Sequence, residues 1–176
     1  ERLLFSKKLN RIIVATSISP KDDVLYGFCM KNGIDVFRGQ ENDVLDRYYQ
    51  AAKLYSADVI VRITGDCPVV DPDIVDELVD FYLSEEFDVC GLSGEFPDGL
   101  DCELFSFNCI KEACMSANLK SEREHVGTYF YNNSDRYKIG SYNKFKGLKH
   151  YRWTLDESKD FDFLTELYKR LYVKGK

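Results

Sequence analysis

Residues 58–72, DVIVRITGDCPVVDP, constrain the fold of this chain more than any other stretch. The apolar run Val59, Ile60, Val61 and Ile63 is too continuous for a strand with one wet face. Its length and β-branching suit a strand buried on both faces of a parallel sheet. Thr64, Gly65 and Asp66 then form a turn at the strand's carboxyl end, and Asp71 followed by Pro72 reads as a helix N-cap and first helical position. Strand, short polar loop and helix start is the unit whose carboxyl end binds ligands in open α/β sheets, which puts Asp66 where chemistry is done. Gly65 and Asp66 also suit a plain turn, so local pattern leaves both readings open.

The rest of the chain repeats that unit. Residues 1–9 read as the tail of a helix, because Leu3, Leu4 and the basic pair Lys7 and Lys8 suit a helix end. Residues 12–15 are a short buried strand, 22–31 a helix stopped near Asn32-Gly33, and 34–37 the next strand. Arg38-Gly39 opens a loop, and Asn42 can cap a helix carrying Val44, Leu45, Tyr48, Ala52 and Tyr55 on one face. After the central strand, Ile74, Val75, Leu78, Val79 and Tyr82 mark a helix and 87–92 another strand. Repeated βα units imply parallel strands with helices on both faces.

The second half changes character. Residues 93–101, SGEFPDGLD, form a Gly/Pro-rich loop, and 102–107 alternate as a half-buried strand does. Helix signals follow at 109–117, and Ser121 with Glu124 reads as a capping box opening a helix that carries His125 and Tyr129. Residues 137–142 and 151–154 are strand candidates, and Ser158 can cap a last helix whose Phe161, Leu164, Leu167 and Leu171 face the core. The expected architecture is α/β: a three-layer, Rossmann-like, mixed but mostly parallel sheet in one domain spanning 1–176.

Composition excludes several function classes. A net charge of −6 argues against general nucleic-acid binding, which needs a basic face, while leaving room for a local pocket for one nucleotide. No apolar run approaches the roughly 20 residues of a membrane span. The six cysteines include no CxxC pair, and Cys67 and Cys90 fall in or beside buried strands. Reduced thiols in a cytoplasmic protein, without a zinc site, are the expectation.

Carboxylates at strand ends are the chemical candidates. Asp66 follows one buried strand and Asp156 follows RWTL. Were those strands neighbours, two like charges about 4 Å apart would repel by about 4 kcal/mol at an effective dielectric of 20. A divalent cation reverses that sign, and magnesium is usually held by one or two carboxylates with substrate phosphates completing its shell. Asp156 also suits the start of the last helix, where negative charge is favourable. Arg38 and Arg47 flank a loop able to meet a phosphate or base, or simply face solvent. His125 has no nearby partner for a nucleophilic dyad. Asp101 and Glu103, two apart on an extended strand, share a face, so Asp101, Glu103 and His125 form a candidate hydroxyl-binding set.

The segments FRGQENDVLDRYYQAA, VIVRITGDCPVVDP, FPDGLDCELFS, SEREHV and RWTLDESKDF resemble, in consistent order, the cytidylyltransferase family. The resemblance is to its spore coat polysaccharide group, which is similar to the acylneuraminate and 3-deoxy-manno-octulosonate cytidylyltransferases. It implies a GT-A-like nucleotidyltransferase that moves CMP from CTP to a sugar and releases pyrophosphate, with Mg²⁺ as cofactor. Asp66 and Asp156 match the family's magnesium positions. The Arg38-Gly39 segment, with Asp43, Arg47 and Gly65, matches its nucleotide side, and Asp101, Glu103, Arg123 and His125 its sugar side. Relatives begin with a strand and a basic glycine-rich loop of the type RMxSTRLPGK that wraps the triphosphate. The expectation is that such a segment stands outside these 176 residues. The implied partners are CTP and a sugar, with no nucleic acid and no membrane, and a homodimer is left open. Two other classes stay open: a nucleotide-sugar-binding scaffold without catalysis, and a glycosyltransferase of similar fold.

Overall fold

The computed structural model describes residues 1–173. Strand β1 (Ile13–Ser17) leads through a 3₁₀ turn into helix α1 (Asp23–Lys31), and β2 (Asp35–Gly39) returns in parallel register, Ile13 opposite Asp35 and Ser17 opposite Gly39. Next come α2 (Val44–Leu54), β3 (Val59–Arg62), α3 (Pro72–Glu85) and β4 (Val89–Leu92). The second half holds β5 (Glu103–Ser106), α4 (Phe107–Ser116), α5 (Lys120–Glu124), α6 (Val126–Asn132), β6 (Ile139–Tyr142) and α7 (Ser158–Leu171).

Strands β3, β5, β4 and β6 form one hydrogen-bonded sheet in that order, and β1 and β2 pair separately. β5 is antiparallel to both neighbours and β6 is parallel to β4, so β3, β4 and β6 share a direction and β5 alone is reversed. The connections around β4 explain its pairing: the crossover through α3 brings β4 back in the direction of β3, whereas the loop between β4 and β5 contains no helix and returns the chain antiparallel. Alternation along β5 sends Phe105 into a core with Leu45, Ile110, Val126 and Phe130, and Leu104 to the opposite face with Val75, Leu78, Val79 and Tyr82. Helix α3 shows why these positions pair with that face. Asp71 caps it by accepting from the Asp73 N–H at 2.9 Å, Pro72 opens it, and every residue of its apolar stripe is buried.

Among the described residues the outer edges of β1 and β3 have no strand partner. A cavity of about 1400 Å³ lies between them, lined by Ile13, Val14 and Ala15 on one side and Val59, Val61 and Ile63 on the other.

Several sequence expectations are corrected. Residues 151–154 make a single bridge, Arg152 to Asp98, rather than a strand, because they pair with a loop and not with a sheet edge. The helix start expected at Ser121 falls elsewhere: the Glu122 carboxylate accepts from the Leu119 N–H at 3.3 Å, and the chain breaks at His125 between α5 and α6. Residues 2–5 form a 3₁₀ turn, since the Asp76 carboxylate takes the next backbone N–H groups, Lys7 at 2.8 Å and Lys8 at 3.2 Å. On α7, Leu164 is buried but Phe161 is 61% and Leu171 71% exposed. Its cap is Asp160, which accepts from the Asp156 and Glu157 N–H groups at 3.0 and 2.9 Å, so Ser158 starts the helix without capping it.

Candidate active site

Three loops converge at the carboxyl ends of β3 and β4. Glu103 at the start of β5 lies opposite both Arg62 and Gly91, so the residues just before β5 sit beside those just after β3 and β4. Backbone hydrogen bonds stitch the loops together. The Leu155 N–H donates to the Asp66 carbonyl at 2.8 Å, Asp98 N–H to Tyr151 at 3.1 Å, and Trp153 N–H to Asp98 at 2.7 Å. Gly99 makes the approach possible: its φ is +98°, and a Cβ there would stand 2.6 Å from the Trp153 and Thr154 backbone.

Among the described residues the half-buried Asp66 carboxylate has only a long contact from the Cys67 thiol at 3.6 Å. Burial above all, with Asp66 and Asp101 adding their charge, pushes that thiol up to about 11. Cys67 therefore stays protonated near neutrality and is no nucleophile. The Asp156 carboxylate accepts from Thr154 Oγ1 at 2.8 Å and from Arg152 at 2.6 Å, which together hold it below the ordinary carboxylate range. Among the described residues no group of three or more His, Cys, Asp and Glu is placed to hold a metal. Two hard carboxylates on touching loops suit an ion that takes the rest of its shell from substrate phosphates and water, as magnesium does.

The other candidates divide into groups. Arg38 donates to the Ser17 and Ser19 carbonyls at 2.8 and 2.9 Å and pairs with Asp23, which fastens the turn after β1. Gly39 packs against the Arg47 side chain, whose Cγ would lie 3.1 Å from an added Cβ. Asp43 caps α2 by accepting from the Asp46 N–H and takes Arg123 in a two-pronged pair, while Arg123 also donates to the Cys114 carbonyl. Gly65 is exposed, with open space where a Cβ would stand. Asp101 is exposed and accepts from the Gly99 N–H at 3.0 Å. Glu103 is paired with Arg62, and α6 presses on it through Gly127, two residues beyond the exposed His125.

Arg62 escaped the sequence reading. Its signal was present, a lone cation inside the apolar run VIVRI, since a charge in a buried strand needs a partner.

A family model described as cytidylyltransferase matches residues 1–176. The chain belongs to the cytidylyltransferase family. It is 42% identical over 96% of its length to "Uncharacterized protein MJ1063" of Methanocaldococcus jannaschii, covering 70% of that protein. It is 29% identical over 94% of its length to the spore coat polysaccharide biosynthesis protein SpsF of Bacillus subtilis, again covering 70% of the relative. Among solved structures, a cytidylyltransferase from Leptospira borgpetersenii superposes with a TM-score of 0.92 at 34% identity, over 99% of this chain and 75% of that one. A CMP:2-keto-3-deoxy-manno-octonic acid synthetase in complex with CTP superposes with a TM-score of 0.69 at 11% identity, over 97% and 86% of the two chains, a likeness of fold. This family member is a nucleotidyltransferase with the Rossmann-like sheet its alternating strands and helices led us to expect.

Proposed function

We propose that this nucleotidyltransferase moves CMP from CTP to a sugar hydroxyl, releasing pyrophosphate, in the synthesis of a surface polysaccharide or glycan precursor. Family membership and the similarity to SpsF support the reaction class. The observation that carries the site is the junction of the Asp66 and Asp156 loops, joined by the Leu155 to Asp66 hydrogen bond at 2.8 Å. In this reading Asp66 and Asp156 hold Mg²⁺, which supplies neutralisation of charge developing on the α-phosphate. Asp156 reaches neutral pH already ionised, with Thr154 and Arg152 fixing its direction. Gly65, bare and exposed, lets a phosphate approach the backbone. Asp101 and His125 accept and donate to acceptor hydroxyls.

The test is pyrophosphate release from CTP over a panel of acidic sugars, with and without Mg²⁺. Asp66→Asn is expected to lower kcat by about 100-fold while the KM for CTP moves only a few-fold, because the lost interaction grows in the transition state. Full turnover by the variant, or turnover indifferent to chelator, would remove Asp66 from this role.

A further inference from the structure

One ion pair joins the loop that opens α2 to the helix break at His125. Arg123, in α5, donates from Nε to the two Asp43 carboxylate oxygens at 2.9 and 3.1 Å and from Nη2 at 2.5 Å, while its Nη1 donates to the Cys114 carbonyl at 2.6 Å. Asp43 also accepts from the Asp46 N–H at 3.0 Å, which caps α2. Each guanidinium nitrogen and both carboxylate oxygens are therefore engaged within the protein. The side chains are 22% and 30% exposed, so solvent screens this pair less than one on the surface. On one side of it, Asp43 ends a loop that lines a pocket of about 450 Å³ just past the carboxyl ends of β1 and β2, where α/β sheets take their ligands. On the other side, two residues past Arg123, the backbone breaks between α5 and α6. That break is braced. The His125 N–H donates to the Ser121 carbonyl at 2.8 Å, the Thr128 N–H donates to the His125 carbonyl at 2.8 Å, and the buried Glu122 accepts from Asn132 Nδ2 at 3.0 Å. With α5 and α6 held to each other in this way, Arg123 ties both to the start of α2.

We infer that Arg123 is a positioning residue that couples the loop ending at Asp43 to His125, so that a nucleotide seated on the loop changes the setting of the imidazole. A guanidinium fork bonded to both oxygens of one carboxylate fixes angle as well as distance. A shift of the Asp43 backbone therefore turns Arg123, and with it α5 and the break at His125. Arg123 acts through Asp43 and not as a ligand of the sugar. Coupling of this kind is reciprocal: whatever factor the nucleotide imposes on acceptor affinity, the acceptor imposes on nucleotide affinity. The inference rests on the proposed reaction in taking CTP as the ligand that meets the loop and His125 as a contact to the acceptor.

Hydrogen exchange on the ligand-free protein tests the tie itself. Asp43→Asn should speed exchange at the His125 and Thr128 amides, and Arg123→Gln at the Asp46 amide, each by about tenfold, the worth of a charge-assisted pair. Leu155, whose N–H bonds to the Asp66 carbonyl, should keep its wild-type rate. Arg123→Lys keeps the charge without the fork and should fall between. Unchanged exchange at His125 and Thr128 in Asp43→Asn, or an acceleration that is equal at Leu155, overturns the coupling even if Arg123→Gln fails to fold. Transmission is read by proton NMR, because the chain has two histidines, His125 and His150, and His150→Gln assigns their imidazole signals. CTP without Mg²⁺, at concentrations that saturate each protein, should shift the His125 signal in wild type, less in Arg123→Lys and not in Arg123→Gln. A wild-type signal indifferent to bound CTP overturns the inference. So does a shift that survives undiminished in both variants, since CTP would then touch His125 directly. A wild type that binds no CTP sinks the proposed reaction instead, and the exchange rates still decide the tie.

Discussion

Arg152 is the residue on which the last loop turns. It reaches Asp98 at 3.0 Å, Asp156 at 2.6 Å and Asp160 at 3.0 Å, linking the β4–β5 loop, the candidate catalytic carboxylate and the cap of α7. Asp160 adds two backbone N–H groups to that ion pair and is lowered to about 2, Arg152 being the largest cause. A carboxylate whose folded pKa lies below its unfolded value contributes stability that is complete above the ordinary carboxylate range and is lost as pH falls through the folded value. The gap in melting temperature between wild type and Asp160→Ala should therefore be constant above about pH 4 and close as pH approaches 2, the window set by the ordinary and lowered values. A gap unchanged down to pH 2 would show that the cap does not titrate.

Among the loops and helices, the site depends on how closely backbones approach. Gly99 is the point of closest approach, and alanine there meets both a left-handed φ of +98° and the Thr154 nitrogen at 2.6 Å. Gly99→Ala is expected to cost about 1–3 kcal/mol in urea unfolding. It should also speed amide exchange at Trp153 and Leu155, the donors that tie this segment to Asp98 and Asp66. Unchanged exchange at those amides would mean the loops are held by something other than this contact. The same scale shows what the sequence could and could not reveal. The helical pattern located α3 because its apolar stripe, Ile74, Val75, Leu78, Val79 and Tyr82, is buried as a whole, whereas α1 has Cys29 as its buried residue and was placed by its stop at Asn32-Gly33. The segment from Tyr151 to Thr154 alternates as a strand would, yet its partner is a loop, and local pattern carries no information about the partner. Helix α7 has a regular apolar stripe, but it buries little beyond Leu164 because it packs against loops, with the Tyr168 hydroxyl donating to the Pro68 carbonyl. For the site, Asp66 and Asp156 were legible as loop carboxylates. The Arg62–Glu103 pair, formed by residues far apart in the chain, needed the register of β3 on β5.

At the scale of the whole molecule, two open strand edges face one cavity, and the walls above and below are apolar. α2 contributes Tyr48, Ala51 and Ala52, and the other side contributes Val79, Leu83 and Leu167. A strand apolar on both faces has the shape that meets such walls, and the helical crossover from β2 to β3 implies that β1 and β3 run the same way. Glu1 lines the same cavity, so a strand fused ahead of it through a flexible linker can reach the slot. Burying five Val or Ile side chains is worth roughly 1.5–3 kcal/mol each, against about 1–2 kcal/mol per residue for fixing the backbone, which leaves a gain of about a few kcal/mol. Such a fusion is expected to raise the melting temperature by about 2–4 °C per kcal/mol gained. It should also slow amide exchange along Ile13–Thr16 and Val59–Ile63 together, the two edges that line the cavity. Proline at the centre of the added strand removes a ladder donor and should abolish both effects. Protection of β1 without β3, or an equal rise with the proline fusion, would mean that the added segment sticks to the surface and does not join the edges into one sheet.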